Sequence, residues 1–215
     1  MRILIGYSMR SGSTLLQHLL NQHSQVHSYS DVSSLPVLAA LKLRLPLNNI
    51  CVKPLDLFYL RPRIGLLKHF DKFVWLTRDP RDSYLSSIRS GYAYLFWRRG
   101  RRIEEIDVGL LERWQRIHRH YFNDRGRWHL VRYEDLTQTT GQTTAALLTY
   151  LGLPTESLRP FDKFVPVTGG DMQLTGQTDV HANSVARYTS ELTPAQLKVF
   201  RDVLGDDMTA LGYPA

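Results

Sequence analysis

Residues 3–20 read Ile3-Leu4-Ile5-Gly6-Tyr7-Ser8-Met9-Arg10-Ser11-Gly12-Ser13-Thr14-Leu15-Leu16-Gln17-His18-Leu19-Leu20. An apolar run comes first, a serine- and glycine-rich turn follows, and then Leu15, Leu16, Leu19 and Leu20 recur on one side. The pattern predicts a strand, a loop and a helix in that order. A helix N-terminus carries unpaired N–H groups and a partial positive charge. Glycine lets the backbone turn tightly, Ser11, Ser13 and Thr14 offer hydroxyl donors, and Arg10 adds a permanent charge with several donors. Together they make a candidate cradle for phosphate or sulfate. The competing reading is an ordinary strand-to-helix turn with Ser or Thr as its cap. A Walker A loop is excluded: Gly6 and Gly12 have five residues between them, and no lysine follows Gly12.

The same rhythm continues downstream. Asn49 to Val52 is a short strand candidate, and Phe73-Val74-Trp75-Leu76 reads as a buried strand. Asp79-Pro80 opens a helix with proline in its first turn. Leu110, Trp114, Ile117 and Tyr121 are spaced for a helix over 104–122, Trp128 to Arg132 is strand-like, and Thr143 to Leu151 is a helix stopped by Gly152 and Pro154. Thr193-Pro194-Ala195-Gln196 carries a capping-box pattern, with Leu197, Phe200, Leu204 and Leu211 behind it. Alternating strands and helices predict an α/β fold, a central parallel sheet flanked by helices. Between residues 161 and 187 the pattern fails among Pro166, Gly169, Gly170 and Gly176, which predicts a long C-terminal lid loop.

The 215 residues make a single domain over 1–215. Hydrophobic residues are 43% and charged residues 22%, so a core can form and disorder is excluded as the main state. Lys and Arg outnumber Asp and Glu 27 to 20, a net charge of +7 that suits an anionic partner. Cys51 is the one cysteine, which excludes a disulfide framework and a multi-cysteine zinc site. The N-terminus turns polar too soon for a signal peptide, and no window resembles a membrane span, so the expected compartment is cytoplasmic.

The segment Arg10-Ser11-Gly12-Ser13-Thr14-Leu15-Leu16 after a strand resembles the 5′-phosphosulfate loop of sulfotransferases that use 3′-phosphoadenosine 5′-phosphosulfate (PAPS). Phe73 to Ser86 is similar to the same family's 3′-phosphate motif, an apolar strand ending in Arg78 with Ser86 eight residues on. Val131-Arg132-Tyr133-Glu134-Asp135-Leu136 resembles its strand ending in Tyr-Glu-Asp, followed by Leu151-Gly152-Leu153-Pro154. Ser184-Val185-Ala186-Arg187-Tyr188 and Leu211-Gly212-Tyr213 resemble the C-terminal pattern of bacterial members. The resemblance implies a P-loop-like sulfotransferase architecture. It implies PAPS as donor, 3′-phosphoadenosine 5′-phosphate (PAP) as product, and no metal. It also implies that Arg10, Ser11, Gly12, Ser13 and Thr14 hold the 5′ end and that Arg78 and Ser86 meet the 3′-phosphate. Tyr133 then lies near adenine or is simply a half-buried aromatic. Arg187 is a phosphate or lid contact or else an exposed arginine.

Sulfuryl transfer builds negative charge on the leaving phosphate, so preorganised cations and N–H donors are the expected catalysts. Arg10 stands where cytosolic members have lysine, and an arginine that stays protonated acts through its charge alone. The cytosolic branch takes the acceptor proton with a histidine after a Lys-Thr pair; the matching place here is Lys53-Pro54-Leu55, and Leu55 is no base. The tyrosyl-protein branch uses a glutamate that corresponds to Asp31, which is the base or a helix cap, with His27 in reserve. Lys53 is a candidate contact for the sulfuryl group. Tyr92 to Trp97, followed by Arg98-Arg99-Gly100-Arg101-Arg102, is a candidate wall for a small-molecule, sugar or peptide acceptor. The alternatives are a phosphoryl-transfer enzyme needing magnesium and ATP, a basic nucleic-acid-binding domain with steep salt dependence, and a sulfotransferase fold without turnover.

Overall fold

The computed structural model describes residues 1–29, 39, 43, 49–53, 64–90, 105–158 and 179–215. Five strands, β1 (Arg2–Tyr7), β2 (His27–Tyr29), β3 (Ile50–Val52), β4 (Lys72–Thr77) and β5 (His129–Arg132), pair in the order β2-β3-β1-β4-β5. Every pairing is parallel, with Leu4 level with Val52 and Phe73, and Tyr7 level with Leu76. The helices are α1 (Ser13–Gln22), α2 (Pro80–Arg89), α3 (Val108–Phe122), α4 (Tyr133–Gln138), α5 (Thr140–Leu151), α6 (Tyr188–Glu191) and α7 (Pro194–Ala210). The predicted parallel sheet with flanking helices is the observed architecture.

Strand alternation sorts the core into two layers. Ile3, Ile5, Tyr7, Val74, Leu76 and Val131 face α1, α4 and α5. Leu4, Val52 and Trp75 face α2, α3 and α7. Trp75 is fully buried, and the rings of Trp128, His118 and Tyr121 surround it at 5.0, 5.6 and 6.0 Å. Gly6 lies level with Trp75, and a Cβ there would fall 2.4 Å from its Cε3. With the ring held on several sides, Gly6→Ala is expected to cost about 1–3 kcal/mol. Chemical denaturation checks this; an unchanged midpoint would contradict it.

His118 is fully buried behind Trp75. Its Nδ1–H donates to Trp114 O at 2.9 Å, so its Nε2 accepts from the Thr77 hydroxyl at 3.2 Å. Burial pushes its pKa from 6.5 down to about 3. Between those values the unfolded chain binds a proton that the folded one refuses. Stability is therefore full above 6.5 and falls as pH drops, by about 1.4 kcal/mol per pH unit. Burial raises the carboxyls of Asp82 and Glu134 above their ordinary values, so these two work in the opposite sense in acid. The difference in slope between parent and His118→Gln from pH 6.5 to about 5 isolates the histidine; equal slopes would contradict the assignment.

Several boundaries differ from the sequence reading. The 104–122 helix starts at Val108, because Asp107 caps it by accepting from Gly109 N at 3.0 Å. The helix placed at Thr143 starts at Thr140. β5 ends at Arg132, and Tyr133-Glu134-Asp135 forms the first turn of α4, so the strand does not end in Tyr-Glu-Asp. β2 was not anticipated. Asp31, Tyr92 to Trp97, the basic run 98–102 and residues 161–178 of the lid reading lie outside the described residues.

Candidate functional site

The strand order fixes where a ligand can enter. After β1 the chain passes through α1 to the β2 edge; after β4 it passes through α2 and α3 to β5 at the other edge. The connections diverge between β1 and β4 at the carboxyl ends, and open α/β sheets bind ligands at such a switch point. Here the loop over residues 8–12 faces Arg78, the first residue after β4. Arg10 (φ 60°) and Gly12 (φ 87°) are left-handed and curl this loop. Gly12 caps α1 and, having no side chain, makes no capping hydrogen bond of its own to the first turn. A Cβ at Gly12 would lie 2.3 Å from Tyr133 Cδ2; the glycine lets the tyrosine ring close against the loop.

A cavity of about 250 Å³ opens at this point. Gly12, Ser13, Thr14 and Leu15 of the first turn line it, with Ser86 and Tyr133. Four arginines also line it, Arg10, Arg78, Arg89 and Arg187, and no carboxylate does among the described residues. The structure thus brings together Arg10, Gly12, Ser13, Thr14, Arg78, Ser86, Tyr133 and Arg187 from the sequence reading. Ser11 is placed differently: it is fully buried and its hydroxyl donates to Ser8 O at 2.6 Å, which commits it to the loop. Lys53 follows β3, is buried, and carries its Nζ 5.6 Å from the centre of the Tyr7 ring; it does not line the cavity. His27 opens β2 level with Ile50, which is itself level with Arg2. That is five residues, roughly 16 Å, from the loop end of the sheet. The structure does not bring it to the cavity.

Arg78 is the central fastener. Its Nη1 donates to Arg10 O at 3.0 Å, its Nη2 donates to Ser184 O, and its guanidinium lies 4.4 Å from the centre of the Tyr133 ring. Burial lowers its pKa, and Tyr133, Asp82 and Glu134 oppose that shift, so it stays a cation. Buried Nε–H groups of Arg78 and Arg187 have no hydrogen-bond partner among the described residues. Four arginine side chains lining one cavity fit a polyanion. Ser86 meets Arg10 rather than Arg78, accepting from its Nε at 2.9 Å.

The C-terminal wall is latched from α2. Asp82, fully buried, accepts from Ala186 N at 2.7 Å and from Tyr188 N at 3.1 Å. Arg89 pairs with Glu191 at 2.7 Å. Asp79 accepts from Arg81 Nε and Nη2 at 2.9 and 2.6 Å, and the Arg81 guanidinium lies 3.8 Å from the Tyr188 ring centre. Glu134 accepts from Asp79 N at 2.9 Å and from the Tyr213 hydroxyl at 3.0 Å, closing the network beneath. The sequence reading missed Arg89, Ser90, His181 and Ser184 in this wall. Arg89 and Ser90 carried a signal, since they stand three and four residues beyond Ser86 on the same helical face.

A switch-point crevice lined by a helix N-terminus and four arginines suits a multiply charged anion. Residues 66–157 match the model of the sulfotransferase family. No curated protein sequence matches the chain. The structure is similar to the sulfotransferase domain from the curacin biosynthetic pathway (TM-score 0.73, 18% identity, 98% of this chain and 97% of that one). It is also similar to the sulfotransferase domain of the olefin synthase of Synechococcus PCC 7002 (TM-score 0.70, 17% identity, 96% and 94%). A third likeness is to mouse sulfotransferase SULT7A1 complexed with PAP (TM-score 0.59, 14% identity, 97% and 84%). The fold is the sulfotransferase fold, and the family resemblance drawn from the two motifs is borne out. Among the described residues no group of three His, Cys, Asp or Glu is placed to hold a metal ion, and no helix is long and apolar enough to cross a membrane.

Proposed function

We propose that this protein transfers the sulfuryl group of PAPS to a hydroxyl or amine of an acceptor. The sulfur–oxygen bond to the 5′-phosphate breaks, a sulfur–oxygen or sulfur–nitrogen bond to the acceptor forms, PAP leaves, and the acceptor proton passes to a base. The observation that carries this reading is the meeting of four arginines and the α1 first turn in one cavity. In this reading the first turn of α1 and Arg10 hold the 5′ end, and Arg10 stabilises the charge that grows on the leaving phosphate. Arg78, Arg187 and Ser86 hold the 3′-phosphate, Tyr133 packs on the base, and Asp31 takes the proton. Magnesium–ATP is the weaker ligand, because the described lining offers the metal no carboxylate. The compartment we propose is the cytoplasm.

Incubation with ³⁵S-labelled PAPS in EDTA, with a pool of small phenols, alcohols, sugars and amines, tests the reading. Label is expected to move into organic product, and the movement is expected to disappear with Arg10→Ala. Label movement that needs magnesium, or that survives Arg10→Ala unchanged, would contradict it.

A further inference from the structure

Arg187 lines the donor cavity, yet little regular structure fixes its direction. Ala186 before it is left-handed, with φ 57°, and the helix after it, α6, is four residues long. The tie comes from another element. Asp82, in the first turn of α2 and fully buried, accepts from Ala186 N at 2.7 Å through Oδ2 and from Tyr188 N at 3.1 Å through Oδ1. These N–H groups stand one residue to either side of Arg187, so each carboxylate oxygen holds one flank. A residue with a Cβ is strained at a left-handed φ, and the bond to Ala186 N offsets that cost. Other ties fasten the wall further out: Arg78 on Ser184 O, and Arg89 with Glu191 at 2.7 Å.

A carboxylate is a costly choice beside this cavity. Asp82 lies close enough to Arg78 for each charge to act on the other, and it repels any phosphate bound there. Among the described residues that line the cavity Asp82 does not appear, so it offers a ligand nothing directly. By charge alone, the site would hold a polyanion better without it. What the carboxylate supplies is two acceptors; an asparagine has one carbonyl oxygen and an NH₂ that cannot accept, so it holds one flank and releases the other. Resting on the sulfotransferase reading above, we infer that Asp82 is a positioning residue for recognition of the 3′-phosphate, aiming Arg187 by holding the backbone on both sides of it.

The test is calorimetric titration of the parent, Asp82→Asn, Arg187→Ala and the double variant with PAP and with 5′-AMP in EDTA. Removal of a negative charge by itself predicts tighter PAP binding in Asp82→Asn. Positioning predicts the opposite sign: PAP roughly tenfold weaker, about one charge-assisted hydrogen bond, with 5′-AMP within about twofold of the parent. Loss of folded protein lowers both affinities together, so their ratio separates positioning from stability. Added to Arg187→Ala, Asp82→Asn is expected to weaken PAP by less than about twofold, because the side chain it aims is gone. An action through Arg78 instead would persist in that background. Tighter or unchanged PAP binding, an unchanged ratio, or additive losses in the double variant would overturn the inference. Hydrogen exchange in the parent reads the clamp without any substitution, which covers an Asp82→Asn chain that does not fold. The Ala186 and Tyr188 amides are expected to exchange at least about tenfold more slowly than in the unfolded chain, and exchange at the unfolded rate would overturn the inference too. A parent that does not prefer PAP to 5′-AMP fails the donor reading and takes this inference with it. A parent whose preference survives intact in Asp82→Asn fails this inference alone.

Discussion

Arg10→Ala is expected to lower sulfuryl transfer by roughly 10²–10³-fold while weakening PAP binding much less. Arg10 sits in a left-handed loop position, half-buried, with its Nε–H on Ser86. That posture holds a guanidinium in the cavity beside the first turn of α1, where the proposed reaction builds charge on the leaving phosphate. A charge already in place costs no reorganisation during the reaction, so its loss falls on kcat more than on donor affinity. Arg10→Lys keeps the charge and loses the fork, and is expected to fall between parent and alanine. Steady-state kinetics with separate PAP titrations check the split. Equal losses in binding and turnover would reassign Arg10 to simple anchoring.

Arg78→Ala is expected to act the other way, on binding, and to weaken PAP by roughly 10²-fold, the effect of one or two lost charge-assisted hydrogen bonds. The substitution removes a buried cation from the cavity lining. It also leaves Arg10 O and Ser184 O without their Arg78 donors, so the loop and the C-terminal wall lose a shared fastener. Asp82, whose charge that guanidinium stabilises, loses support for its hold on Ala186 and Tyr188. The stability cost is expected to be about 1–3 kcal/mol. PAP calorimetry beside chemical denaturation checks both numbers. Unchanged PAP affinity would move the 3′-phosphate to Arg89 or Arg187.

Most of the sheet was legible because its inner strands are short apolar runs bounded by turn residues, as in Ile3 to Ile5 and Phe73 to Leu76. Helix starts were legible where caps were written in side chains: Asp79 accepts from Arg81 N, and Thr193 and Gln196 make both bonds of their capping box. β2 escaped because His27-Ser28-Tyr29 has no apolar run. Tertiary pairing with β3 creates it, assisted by Asn21, which bonds both Ser28 N and Ser28 O. α4 escaped because it begins directly after β5 with no break residue, although Glu134 and Asp135 suit a first turn.

The candidate site divides in the same way. The loop, Arg78 and Ser86 were readable because fixed spacing on one strand–helix unit sets their places. His181 and Ser184 join the cavity through contacts spanning more than a hundred residues, Asp82 with Ala186 N and Tyr188 N and Arg78 with Ser184 O, which no local pattern announces. Ser11 has the spacing of a donor to an anion, while the tight loop turns its hydroxyl onto Ser8 O.

The most direct test is calorimetric titration of the protein with PAP, with 5′-AMP and magnesium–ATP as comparisons, in EDTA for the first two. The account predicts saturable PAP binding without metal, roughly a hundredfold tighter than 5′-AMP, because the 3′-phosphate engages Arg78 and Arg187. Equal affinity for 5′-AMP, or a preference for magnesium–ATP, would contradict it.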